Sequence, residues 1–167
     1  MWKKRISRIS MWILVLYLSV SCSLKTQPVF WPKDAKNLLA YCELDTFFRG
    51  SYFTGFVNLR IFYPDFHAQI SGPLGNTMMI MKKEGSVLTI INEEGQPLQQ
   101  FDMVFPFSLD EVIYDVYVAS TYFSKETKAV VRRGDYTVKY EIWKKKYKIC
   151  WENENGYMCL FFLDVKG

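Results

Sequence analysis

Strict alternation of apolar and polar residues is the commonest pattern along the chain. In FVNLRIF (56–62), Val57, Leu59 and Ile61 share one face, with Asn58 and Arg60 on the other. FHAQIS (66–71) sets Phe66, Ala68 and Ile70 opposite His67, Gln69 and Ser71. YTVKYEIW (136–143) sets Tyr136, Val138, Tyr140 and Ile142 against Thr137, Lys139 and Glu141. Successive side chains of a strand point to opposite faces, so a period of two marks antiparallel strands with one buried face. Turn-forming clusters separate the runs: RGS at 49–51, YPD at 63–65, GPLG at 72–75, KKEG at 82–85, NEEG at 92–95, RRGD at 132–135 and NENG at 153–156. Strand-length gaps between them predict a meander of hairpins.

Two segments read differently. In PFSLDEVIYDVYVAS (106–120), Ser108 and Glu111 have the spacing of a capping box, and Val112, Ile113, Val116 and Tyr117 recur on one helical face. A helix there would lie across the apolar side of a curved sheet. Asp34 to Ala40 reads as a short helix with Asp34 as its N-cap. The chain is therefore expected to be mainly β, of the α+β class, around a single antiparallel sheet.

The first residues follow another logic. Lys3, Lys4, Arg5 and Arg8 precede an apolar region of ten residues, Met11 to Val20, and Cys22 follows shortly. That is the layout of a bacterial secretory signal. Ten residues are too few to span a bilayer, which needs about 20, so a permanent transmembrane helix is the weaker reading. LSVSC (18–22) resembles the lipobox of bacterial lipoproteins, in which cleavage precedes a cysteine that then carries lipid. The competing reading is an ordinary secretory signal that happens to contain a cysteine. We expect a lipoprotein signal over 1–21, a lipidated tether over 22–33 beginning at Cys22, and one domain over 34–167. Several acyl chains on Cys22 make a stable anchor where a single chain binds only marginally. Ser23 stands where an inner-membrane retention signal would have Asp, so the expected destination is the periplasmic face of the outer membrane.

This partition changes the charge. The formal net charge is +4, but residues 1–21 hold four basic side chains and no acidic one, so the remainder is neutral. No nucleic-acid partner is expected. Cys42, Cys150 and Cys159 lie in the domain. Cys150 and Cys159 could pair across a hairpin turning at ENENG (152–156); buried free thiols are the alternative.

Catalytic chemistry finds few residues. His67 is the only histidine, and it sits on the polar side of its strand. No G-x-S-x-G elbow, zinc-spaced His/Cys cluster or Gly-rich phosphate loop accompanies it. Asp45, Asp102 and Asp115 are dispersed, so no glycosidase-like pair can be named. No enzyme, metal or dissociable cofactor is expected. Lys144–Lys146 reads as a hairpin end, or else as a contact for anionic lipid or an acidic partner. The remaining anomaly is apolar surplus: TMMIM (77–81), VLTII (87–91) and YMCLFFLDV (157–165) are apolar on both faces. A two-layer core explains it, and so does a cavity lined by Met and aromatics and suited to acyl chains.

FHAQISGPLGNTMMIMKKEGSVLTIINEEGQPL (66–98) resembles the LolB family, outer-membrane receptors of lipoprotein localisation. A strand runs into a PLG hairpin, an apolar-polar strand follows, and the next strand ends in a G-Q turn. FPFSLDEVIYDVYVA (105–119) is similar to that family's next segment, a proline-containing approach to a helix. The resemblance implies one strongly curved antiparallel sheet, an incomplete barrel, with one or more helices covering its concave apolar side. It further implies a monomer that takes client lipoproteins from a LolA-like periplasmic carrier. Their acyl chains would be held in the cavity and inserted into the outer membrane. The leucine of the PLG loop protrudes in that family, a role that carries over to Leu74 and to its neighbours Pro73 and Gly75. The alternative expectation is a structural or assembly lipoprotein of the same fold, with no cargo transfer.

Overall fold

The computed structural model describes residues 30–98 and 107–167. Nine strands form one antiparallel sheet: β1 (Asn37–Phe48), β2 (Ser51–Phe62), β3 (Asp65–Ser71), β4 (Thr77–Glu84), β5 (Val87–Ile91), β6 (Lys128–Arg133), β7 (Tyr136–Trp143), β8 (Lys146–Asn153) and β9 (Gly156–Lys166). Two short helices, α1 (Leu109–Tyr117) and α2 (Ala119–Phe123), lie between β5 and β6. The strand order is β5-β4-β3-β2-β1-β9-β8-β7-β6. Two meanders, β1–β5 and β6–β9, thus join through the first and last strands. The sheet is not closed: β5 and β6 are its edges, and the helices connect one edge to the other.

The inward side chains of β1–β4 and β7–β9 form a buried face across the sheet, while the edge strands β5 and β6 have no buried residue. Leu44 of β1 pairs with Leu160 of β9, which pairs with Ile149 of β8, which pairs with Tyr140 of β7. All four side chains are buried. The inward face of α1 adds Leu109, Val112, Ile113 and Val116 to the same core. A nine-residue helix rich in β-branched residues is marginal alone, so this contact is what maintains it. Each of those side chains contributes up to about 1.5–3 kcal/mol on burial.

The expected helix at Asp34–Ala40 is not formed. Residues from Asn37 onward belong to β1, and Leu38, Ala40, Cys42 and Leu44 alternate inward along it. With β2 on one side and β9 on the other, this segment satisfies its backbone in two ladders, which outweighs local helix propensity. Asp34 instead accepts a hydrogen bond from the Lys36 backbone N–H at 3.0 Å. The second expected helix exists but is divided at Val118, and Ser108 occupies its N-cap without a side-chain capping bond. The Ser108–Glu111 capping box is therefore absent. Packing also reaches back into the expected tether. The Trp31 ring meets Phe123, Tyr147 and Phe162 edge-on, and its backbone N–H donates to the Tyr147 hydroxyl at 3.1 Å.

Candidate functional site

The β3–β4 hairpin carries Pro73, Leu74 and Gly75 in a five-residue loop, Gly72 to Asn76. The Gly75 N–H donates to the Gly72 carbonyl at 2.9 Å, closing a β-turn with Pro73 second and Leu74 third. The Gly72 N–H donates to the Asn76 carbonyl at 2.9 Å and ties the base. Proline pre-sets its own φ, and Gly75 supplies a left-handed φ of +84°. Nothing in this geometry calls for a leucine, yet Leu74 is 95% exposed at the apex. The half-exposed Met78 side chain lies nearby, its sulfur about 3.4 Å from where a Gly72 Cβ would stand. Gly55 of β2 was missed in the sequence. A Cβ there would sit 2.2 Å from the Ser71 carbonyl oxygen, so only glycine lets β2 pass the hairpin base.

Between α1 and the sheet lies an apolar interior, with Leu59, Phe66, Met81, Leu109, Ile113 and Met158 among its walls. Its free volume is about 30 Å³. That is the space of roughly one water molecule, against roughly 300–1,000 Å³ for sites that hold ligands. In this arrangement the space between helix and sheet is filled by the protein's own side chains.

A buried carboxylate holds the helix down. Asp115 of α1 has no exposed surface and faces the sheet. Its Oδ1 accepts from the Arg133 guanidinium at 3.0 Å and from the Tyr140 hydroxyl at 3.3 Å, and its Oδ2 accepts from the Trp151 indole N–H at 3.0 Å. The donors come from β6, β7 and β8, so one residue of α1 engages three strands. Burial, reinforced by the Asp115 charge, pushes the Tyr136 and Tyr140 hydroxyls well above their ordinary pKa. Asp115 also went unrecognised in the sequence, where it read as one of several scattered acids. Its i+3 spacing from Val112, on the apolar side of α1, was the available signal.

The other candidates are dispersed. Cys22 lies outside the described residues. Cys150 and Cys159 are direct cross-strand partners with Cα atoms 4.1 Å apart and are disulfide-bonded. Cys42 is a buried free thiol, its pKa raised by burial. His67 is exposed on the other face of the sheet, with Arg60 and Lys82 as its cross-strand partners. Among the described residues no cluster of His, Cys, Asp or Glu is arranged to hold a metal, and no helix is long and apolar enough to cross a membrane. No protein-family model matches the chain, and neither does any curated protein.

Proposed function

We propose that the protein is a lipid-anchored outer-membrane lipoprotein of the LolB type. It receives lipoproteins from a periplasmic carrier, holds their acyl chains between the sheet and α1, and delivers them to the membrane. In this reading the sheet is an incomplete barrel with α1 over its concave side. The observation that carries it is Leu74, held bare at the apex of a turn whose own chemistry explains its neighbours but not the leucine. Buried in lipid, a leucine contributes about 2 kcal/mol, too little to anchor a protein but enough to orient it. The Cys150–Cys159 disulfide supports an oxidising compartment outside the cytoplasm. Acyl chains would enter by displacing α1 from an interior whose walls include the adaptable Met81 and Met158.

The filled interior favours a second reading, an envelope lipoprotein that binds a partner through the same hairpin and transfers no cargo. Cells carrying Leu74→Glu as the sole copy separate the two. Under the first reading the variant accumulates at normal levels while client lipoproteins fail to reach the outer membrane. Normal client incorporation rejects that reading. Native mass spectra that show bound protein and never bound acyl chains favour the second.

A further inference from the structure

The β7–β8 turn is built against its own stereochemistry. Lys144 and Lys145 occupy its two positions with φ of +49° and +65°. A two-residue turn with both φ values positive favours Asn-Gly, because a Cβ is disfavoured in the left-handed region. The β1–β2, β4–β5 and β6–β7 turns of this sheet each place a glycine at positive φ, at Gly50, Gly85 and Gly134; Arg49 also has a φ of +48°, but Gly50 follows it. The lysine turn differs in having no glycine at either position, and the backbone cost of that choice points to a use for the ammonium groups.

The surroundings name the use. Trp143, 58% exposed, stands beside the turn with the Lys144 ammonium 4.4 Å from its ring centroid. Below it lies a recess of about 180 Å³, walled by Trp143, Phe161 and Leu163 with Lys146 and Lys148 at its margin. Glu43 also lines the recess, and Glu141 lies 3.7 Å from the Lys148 ammonium, so Lys146 and Lys148 are matched there by two acids and the excess positive charge is that of Lys144 and Lys145 in the turn. Tyr147, between Lys146 and Lys148, is the residue that fixes Trp31. Trp31 is nine positions after Cys22, so a lipid on Cys22 holds this hairpin within about 30 Å of the bilayer.

We infer that the tip Trp143–Lys146 and its recess form a docking site for anionic phospholipid. The lysines meet the headgroup phosphates, and Trp143 and Phe161 meet the glycerol and first methylenes. Tryptophan is favoured at this depth, and clustered lysines gain from the negative surface of a bilayer. The proximity step rests on the lipid-anchor reading; the charge and aromatic arrangement do not. Leu74 lies at the opposite strand ends, so the two contacts are separable by mutation.

The full chain is mixed with vesicles of brominated phosphatidylglycerol or brominated phosphatidylcholine. Trp143 emission is read as the difference between the parent and Trp143→Phe. Quenching is expected on phosphatidylglycerol alone, fading as salt rises. Substituting Lys144, Lys145 and Lys146 together by Gln is expected to lower the lysine-dependent affinity on the order of a hundredfold. The pair Lys144→Asn and Lys145→Gly, which suits the turn better and so preserves folding, should lose on the order of tenfold or more. Equal quenching on both lipids, or no response to either set of substitutions, overturns the site. So does binding of polyglutamate without any quenching, which would assign the tip to an acidic protein. Neither a client nor Leu74 enters this readout, so its failure leaves the delivery reading standing. Normal incorporation in Leu74→Glu cells likewise leaves this site standing.

Discussion

The Asp115 carboxylate and the Trp151 indole N–H meet 3.0 Å apart where neither residue has any exposed surface. Tyr140 and Arg133 complete the acceptor's partners, so α1 is fixed to three strands through one side chain. Asp115→Ala strands the Trp151 donor outright. Tyr140 keeps a weak alternative in the Asp115 backbone carbonyl at 3.3 Å, and the partly exposed Arg133 can turn to water. An unsatisfied buried donor costs about 1–3 kcal/mol, so a loss of about 2–4 kcal/mol is expected from the urea midpoint. Asp115→Asn, which keeps one acceptor, should lose less. A change below about 0.5 kcal/mol in Asp115→Ala would show that α1 is held by its apolar face alone.

The two raised tyrosines give stability a direction with pH. In the unfolded chain Tyr136 and Tyr140 release protons near their ordinary pKa of 10.0, while burial and then the Asp115 charge keep both protonated in the fold. Above that pH the folded state therefore binds more protons than the unfolded state, and stability falls as pH rises. Thermal midpoints should be level from about pH 7 to 8, begin to fall near pH 9, where Cys42 of the unfolded chain releases its proton, and decline more steeply beyond about 10 as the tyrosines add to it. Tyr140→Phe lowers the baseline through its lost hydrogen bond but should make the alkaline decline shallower. An equally steep decline in that variant would place the titrating group elsewhere.

Legibility in the sequence followed the range of the interaction. β2, β3 and β7 were plain because Val57-Leu59-Ile61, Phe66-Ala68-Ile70 and Tyr136-Val138-Tyr140 alternate within a few residues and hairpins pair them locally. β1 was misread because DAKNLLA (34–40) is helix-prone when taken alone. What makes it a strand is tertiary pairing, with β2 on one side and on the other β9, more than a hundred residues away, with Leu44 opposite Leu160. The Leu74 turn was legible in full, since Gly72, Pro73 and Gly75 state their own geometry. Gly55 and Asp115 were not, because each acquires meaning from a tertiary neighbour: the Ser71 carbonyl for one, three distant donors for the other.

Thiol chemistry should sort the cysteines of the domain by environment. Cys42 has no exposed surface and a raised pKa, so alkylation of the native protein should leave it unmodified. Unfolding without reductant should label Cys42, while Cys150 and Cys159 react only after reduction, read by peptide mass. Replacing both by Ala removes a link between residues nine apart in sequence, with an expected loss of about 2–3 kcal/mol. Labelling of Cys150 before reduction would contradict the disulfide.

Turn geometry and exposed chemistry separate cleanly at the β3–β4 hairpin. Leu74→Glu touches a side chain 95% exposed, so stability should stay within about 0.5 kcal/mol of the parent. Gly75→Ala meets no atom within 4 Å but must adopt a φ of +84°, at a cost of about 1 kcal/mol. The first substitution should abolish client delivery without moving the urea midpoint. The second should move the midpoint while delivery is largely kept. The reverse pattern would assign the hairpin a purely structural role.

The lysine turn makes the opposite trade measurable. Lys144 and Lys145 at φ of +49° and +65° each pay a conformational cost that Asn-Gly largely avoids. Lys144→Asn with Lys145→Gly should therefore raise stability by about 1–2 kcal/mol, even after the lost contact between the Lys144 ammonium and the Trp143 ring is counted. A substitution that stabilises the fold while weakening its hold on anionic vesicles is the signature of residues kept for binding. An unchanged or lower urea midpoint would mean that the lysines suit the turn, and the backbone argument for their use would fall.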